Sequence, residues 1–158
     1  MEGIYEFFLK RHGTFNEIQK LAMPIIEQGE NCLIVAPTGA GKTEAAVLPL
    51  LKRVMELGGP PIRVLYITPL RALNRDMMKR LDDLCSHSNV TVGVRHGDTG
   101  AAERRRQAKL APSLLITTPE TLQSILPTKH IGPYLKNLKA VIVDELHELY
   151  HSKRGEQR

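Results

Sequence analysis

Two short stretches carry residue types that could do phosphate chemistry. The first is Ala36-Pro37-Thr38-Gly39-Ala40-Gly41-Lys42-Thr43-Glu44, close to GxxxxGK[ST] with Ala36 where the first glycine would stand. Gly39 and Gly41 let the backbone bend so that successive N–H groups point inward at phosphates. A helix starting near Lys42 adds its positive dipole end at the same place. Lys42 can reach the β- and γ-phosphates, and the Thr43 hydroxyl can ligate Mg²⁺. A plain glycine turn would account for the glycines, but not for a strand before them and a helix after them. The second stretch is Val141-Ile142-Val143 running into Asp144-Glu145-Leu146-His147. At the C-terminal end of a parallel strand, Asp144 would hold Mg²⁺ through water, and Glu145 would orient or deprotonate the attacking water. Together they call for a nucleotide such as ATP, with Mg²⁺ as the metal.

A rival overlaps the second stretch. His147-Glu148-Leu149-Tyr150-His151 spells HExxH, which on a helix places two histidines on one face as in zinc peptidases. A catalytic zinc needs a third protein ligand, and Glu156 is the only acid among the seven residues after His151. The zinc reading is therefore set aside.

These residues must be positioned by an alternating chain. Apolar, β-rich runs stand at Cys32–Ala36, Arg63–Thr68, Thr91–Arg95, Leu114–Thr117 and Ala140–Asp144. Helix-like segments lie between them, at Lys42–Leu57, Arg71–Ser86, Ala101–Leu110 and Pro119–Ile125. The alternation implies an α/β fold, a mainly parallel central sheet flanked by helices in three layers. Leu33-Ile34-Val35 and Val141-Ile142-Val143 read as strands buried on both faces. Residues 1–28 look helical, with Pro24 opening a short new helix and Gly29 ending it. Gly58-Gly59-Pro60-Pro61 reads as a turn inside one domain covering residues 1–158.

The 158 residues, 42% hydrophobic and 25% charged, suit one soluble domain with a sizeable core. No apolar run approaches the roughly 20 residues that cross a bilayer, and the N-terminus is not a signal peptide. Cys32 and Cys85 are unpaired in sequence and read as packing residues in a reducing, cytoplasmic setting. A net charge of +5 is compatible with a polyanionic partner without demanding one.

Thr68-Pro69 and Thr118-Pro119 share one design, a strand ending in a helix N-cap followed by proline at the first helical position. Both helix starts would offer free N–H groups to backbone phosphates. Arg71, Arg75 and Lys79 recur every fourth residue and so line one helical face. For Arg75 and Lys79, and for the run Arg104-Arg105-Arg106, a solvated basic face is the simpler reading.

At this point the chain resembles the superfamily-two helicases, and within them the large helicase-related (Lhr-type) group. Ala36 to Glu44 resembles motif I, and Thr68-Pro69-Leu70-Arg71-Ala72-Leu73 resembles motif Ia. Thr117-Thr118-Pro119-Glu120 resembles motif Ib, and Asp144-Glu145-Leu146-His147 the DExH form of motif II. His96-Gly97-Asp98-Thr99, then Glu103-Arg104-Arg105, and Ser152-Lys153-Arg154-Gly155 narrow the group. The resemblance implies a RecA-like P-loop domain that binds ATP at Ala36 through Glu44, with Lys42, Asp144, Glu145 and His147 in catalysis. Residues 15–19 resemble the Q motif, so Gln19 would read the adenine edge. Phe15 would either stack nearby or act as a packing staple. Nucleic-acid contacts would fall on Pro69, Arg71, Gly97, Thr118 and Pro119, with DNA favoured over RNA and repair or recombination as the setting. His147 would couple the site to a second RecA-like domain, which carries an arginine finger. Without that domain the chain is expected to bind nucleotide weakly and hydrolyse almost none. An RNA helicase and a non-enzymatic nucleotide-binding scaffold are the alternatives.

Overall fold

The computed structural model describes residues 3–149. Tyr150, His151, Ser152-Lys153-Arg154-Gly155 and Glu156 of the readings above lie outside the described residues. The chain divides into two compact units, residues 1–58 with 83–90, and residues 59–82 with 91–158. The expected turn at Gly58-Gly59 falls where they divide, and both glycines have positive φ, 57° and 110°.

The first unit is helical. Its α1 (Ile4–His12), α2 (Glu17–Glu27) and α3 (Lys42–Leu57) bury Ile4, Phe8, Ala22, Met23, Leu48 and Leu51. Asn16 caps α2 in a capping box, its side chain accepting from Gln19 N while the Gln19 side chain accepts from Asn16 N. Pro24 does not open a new helix but sits inside α2. It lies on the exposed side, where water can satisfy the carbonyl that loses its amide partner. Residues 31–37 form no strand. Leu33 and Val35 are 76% and 83% exposed, so the expected strand at Cys32–Ala36, buried on both faces, is corrected to an irregular segment without a ladder partner. Cys32 is accordingly exposed, not packed, whereas Cys85 is buried as expected.

The second unit carries the sheet, whose strands are β1 (Val64–Ile67), β2 (Val92–Arg95), β3 (Leu114–Thr117) and β4 (Ala140–Val143). Their order is β2-β3-β1-β4 and every pairing is parallel, which bears out the expected α/β class. In β1 and β3 both faces are buried, as continuous apolar runs require. Leu65 and Leu115 pack with Ile62, Ile125 and Ile131 on one face, backed by a 3-10 segment, Gly132–Asn137. β4 differs, because Val141 and Val143 are 51% and 43% exposed at the sheet's edge.

Three helices serve the connections, α4 (Arg75–His87), α5 (Ala101–Lys109) and α6 (Pro119–Ile125). Thr118 caps α6 with Pro119 at its first turn, as its sequence says. The matching expectation at Thr68-Pro69 fails. Only a 3-10 turn, Leu70–Ala72, follows Pro69, and α4 starts later, where the Asn74 side chain accepts from Met77 N at 2.9 Å. Arg71 thus stands apart from the helix that holds Arg75 and Lys79, and the three do not line one face.

Candidate functional site

In the first unit the 37–41 loop is shaped by two left-handed glycines, Gly39 and Gly41, both at φ 81°. Ala40 N donates to Pro37 O at 3.2 Å, and Gly41 is the N-cap of α3. The first N–H groups of α3 have no carbonyl four residues back, so this end attracts anions. Glu44 in its first turn also suits the helix dipole. Thr43, next to Lys42, is half-buried, whereas Thr38 is exposed. Lys42 Nζ donates to Ala36 O at 2.5 Å and Pro37 O at 3.4 Å, so the ammonium rests on the loop's own carbonyls.

Two residues of α2's capping box reach the same loop. Asn16 Nδ2 donates to Ala40 O at 2.9 Å, and Gln19 Nε2 to Gly41 O at 3.4 Å. Gln19 is buried and each end of its amide has a partner. Asn16 was not singled out from the sequence. The only signal was an Asn three residues before a Gln at a helix start. Phe15 stacks on Phe8, with ring centroids 5.4 Å apart, and meets Tyr5 edge-on at 5.6 Å. Of its two readings, packing is the one these contacts support.

In the second unit Asp144 and Glu145 follow β4. Asp144 accepts from Tyr66 Oη at 2.7 Å through one oxygen and from Glu145 N at 2.9 Å through the other. Tyr66, buried in β1, was also missed, because an apolar strand position gives no hint that its hydroxyl reaches an acid just past the end of the neighbouring strand. Glu145 adopts φ 51°, a left-handed conformation uncommon outside glycine and frequent at functional sites. His147 Nε2 lies 3.2 Å from Glu145 and 3.7 Å from Glu148, and Glu148 pairs with Arg71. The ligand atoms of Glu145, His147 and Glu148 all lie within 4.8 Å of one another, a cluster whose contacts these side-chain pairings account for.

Four of the five residues assigned to nucleic acid, Pro69, Gly97, Thr118 and Pro119, line one groove of about 440 Å³. Arg71 stands beside it, paired with Glu148 of the groove wall. The arginine run divides by role. Arg104 donates to the carbonyls of His96, Gly97 and Thr99, while Arg106 forks onto Glu103 at 2.8 Å through two nitrogens. That fork holds the Glu103 carboxyl below, and the Arg106 guanidinium above, its ordinary value. All three arginines are exposed, as expected from the sequence. Among the described residues no helix is long and apolar enough to cross a membrane.

A family model described as DEAD/DEAH box helicase matches residues 16–158. The ATP-dependent helicase Lhr-Core of Sulfolobus acidocaldarius is 39% identical, over 96% of this chain and 19% of its own length. The Lhr helicase/uracil glycosylase of Escherichia coli is 34% identical, over 95% of this chain and 11% of its own. Among solved structures, Mycobacterium smegmatis helicase Lhr bound to ssDNA and AMP-PNP superposes with a TM-score of 0.79 at 34% identity, covering 92% of this chain and 20% of that one. The DUF1998 helicase MrfA bound to DNA and AMPPNP gives 0.76 at 32%, covering 89% and 20%. The chain spans a fifth or less of the length of these relatives.

Proposed function

Because the chain belongs to the DEAD/DEAH box helicase family, we propose that it is the ATP-binding motor domain of an Lhr-type, ATP-dependent DNA helicase acting in repair or recombination. The observation that carries this reading is the loop at the start of α3, where two left-handed glycines precede Lys42 and Thr43. Backbone N–H groups and the helix dipole there suit the phosphates of ATP. Lys42, now on the loop carbonyls, would move to the β- and γ-phosphates. Gln19, already beside Gly41, would read the adenine edge.

Mg²⁺ takes hard oxygen ligands, and the Thr43 hydroxyl and Asp144 carboxylate are of that kind. Tyr66 and the Glu145 amide fix the Asp144 carboxylate's orientation while leaving lone pairs for a metal-bound water. When bound, the ion neutralises charge on the transferring phosphoryl group. Glu145 is the base toward water, and His147 links the site to a second RecA-like domain. Single-stranded DNA lies along the groove of Pro69, Gly97, Thr118 and Pro119 with Arg71, held by its backbone and not by its bases.

Calorimetric titration with an ATP analogue and Mg²⁺ tests this. The wild-type chain should bind adenine nucleotides, Lys42→Ala should abolish binding, and Gln19→Ala should erase the preference for adenine over guanine. A wild-type chain that binds no nucleotide, or a Lys42→Ala chain that binds normally, refutes the proposal.

A further inference from the structure

We infer that Arg104 is a positioning residue for nucleic acid, its guanidinium holding the 96–99 loop so that the bare backbone of Gly97 faces the groove. The inference rests on the reading of that groove as the nucleic-acid path. Arg104 Nε donates to Thr99 O at 2.7 Å, and Nη2 donates to Gly97 O at 2.7 Å and His96 O at 3.4 Å. One planar cation thus gathers three carbonyls of a four-residue loop. The loop's own bonds agree with that shape. His96 N donates to Thr99 Oγ1 at 2.9 Å, and Thr99 N to His96 O at 3.1 Å.

The helix turn that carries Arg104 is anchored to β2. Gln107, buried and one turn further along α5, donates from Nε2 to Val94 O at 2.9 Å and to Glu103 at 3.0 Å. Residues three apart share a helical face, so this anchor on β2 sets Arg104 over the loop that follows β2. Gly97 lines the groove, and a Cβ added there would meet no atom within 4 Å. Protein packing therefore does not require the missing side chain, and the bare backbone leaves room for close approach of a phosphate. The field has the matching sign. Arg95, just before the loop, has a buried Nη1 without a hydrogen-bond partner. Burial and the nearby Arg104 charge also hold its pKa below the ordinary value.

The role needs a fork and not merely a charge. Lysine offers a point cation that cannot span three carbonyls in a plane. Anisotropy of a fluorescein-labelled oligothymidylate, measured over a range of salt concentrations, separates the two. Arg104→Lys and Arg104→Ala should each weaken binding about tenfold, the order of one hydrogen bond to a charged group. The slope of log affinity against log salt should stay at the wild-type value, and Arg105→Ala should leave binding unchanged. Arg104→Lys keeps the charge and the helix propensity, and a wild-type melting temperature for it separates lost binding from unfolding. Wild-type affinity in Arg104→Lys overturns the inference alone. So does a slope smaller by about 0.7, the mark of one lost direct phosphate contact on a single strand. A wild-type chain that binds no oligonucleotide overturns the groove reading, and the inference with it.

Discussion

Gly41 shows how much one position can carry. Its φ of 81° is left-handed, and a Cβ there would sit 2.7 Å from Gln19 Nε2 and 2.8 Å from Asn16 Nδ2. Gly39 has the same φ but would meet nothing within 4 Å. Both alanine variants should therefore lose about 1–2 kcal/mol for the backbone. Gly41→Ala should lose more, because the two capping amides must also give way. Thermal unfolding should rank wild type above Gly39→Ala and Gly39→Ala above Gly41→Ala, and equal melting of the two variants would contradict the clash. Gly39, Gly41 and Lys42 were legible in the sequence because their spacing in a local motif is itself the signal. The reach of Asn16 and Tyr66 into the site was not, since the carbonyl and the carboxylate they donate to lie 24 and 78 residues away. No local pattern encodes such a pairing.

Elements were read well where local chemistry and tertiary packing agree. β3 has its expected bounds, and Thr118-Pro119 starts α6. Thr68-Pro69 has the same letters, yet Asn74 sits six residues on as an equally good cap, and the chain turns in a 3-10 segment before α4 begins. Residues 32–36 have strand composition but no ladder partner, and a strand exists only through its neighbours. The helices of the first unit, by contrast, are tied by a specific cluster. Tyr5 of α1 donates to Glu27 of α2, which also pairs with Lys52 of α3 at 3.3 Å. Burial, then the Glu27 carboxylate, push the Tyr5 phenol well above its ordinary 10.0. The folded chain thus keeps a proton that the unfolded chain releases. Stability from this group is full below pH 10.0 and is lost as pH rises beyond it. Denaturant unfolding across that alkaline range should show a steeper loss for wild type than for Tyr5→Phe, and parallel curves would remove Tyr5 from the account.

At the scale of the molecule, stabilisation is unevenly distributed, and the sheet shows why. Val64–Ile67 and Leu114–Thr117 pair on both edges, with burial on both faces. Ala140–Val143 pairs on one edge, and its valines alternate into solvent. From sequence the three strands look equivalent, because a short apolar run reports propensity and not what covers it. Their energetics should differ sharply. Leu115 is fully buried among Ile62, Leu65, Ile125 and Ile131, so Leu115→Ala removes transfer energy and leaves a cavity, at about 2–5 kcal/mol. Val141 is half in water already, and Val141→Ala should cost under about 1 kcal/mol. Denaturant midpoints at constant slope measure both. Similar costs would mean that Val141 is covered in solution, and that the exposed face of β4 is not how the chain exists when free.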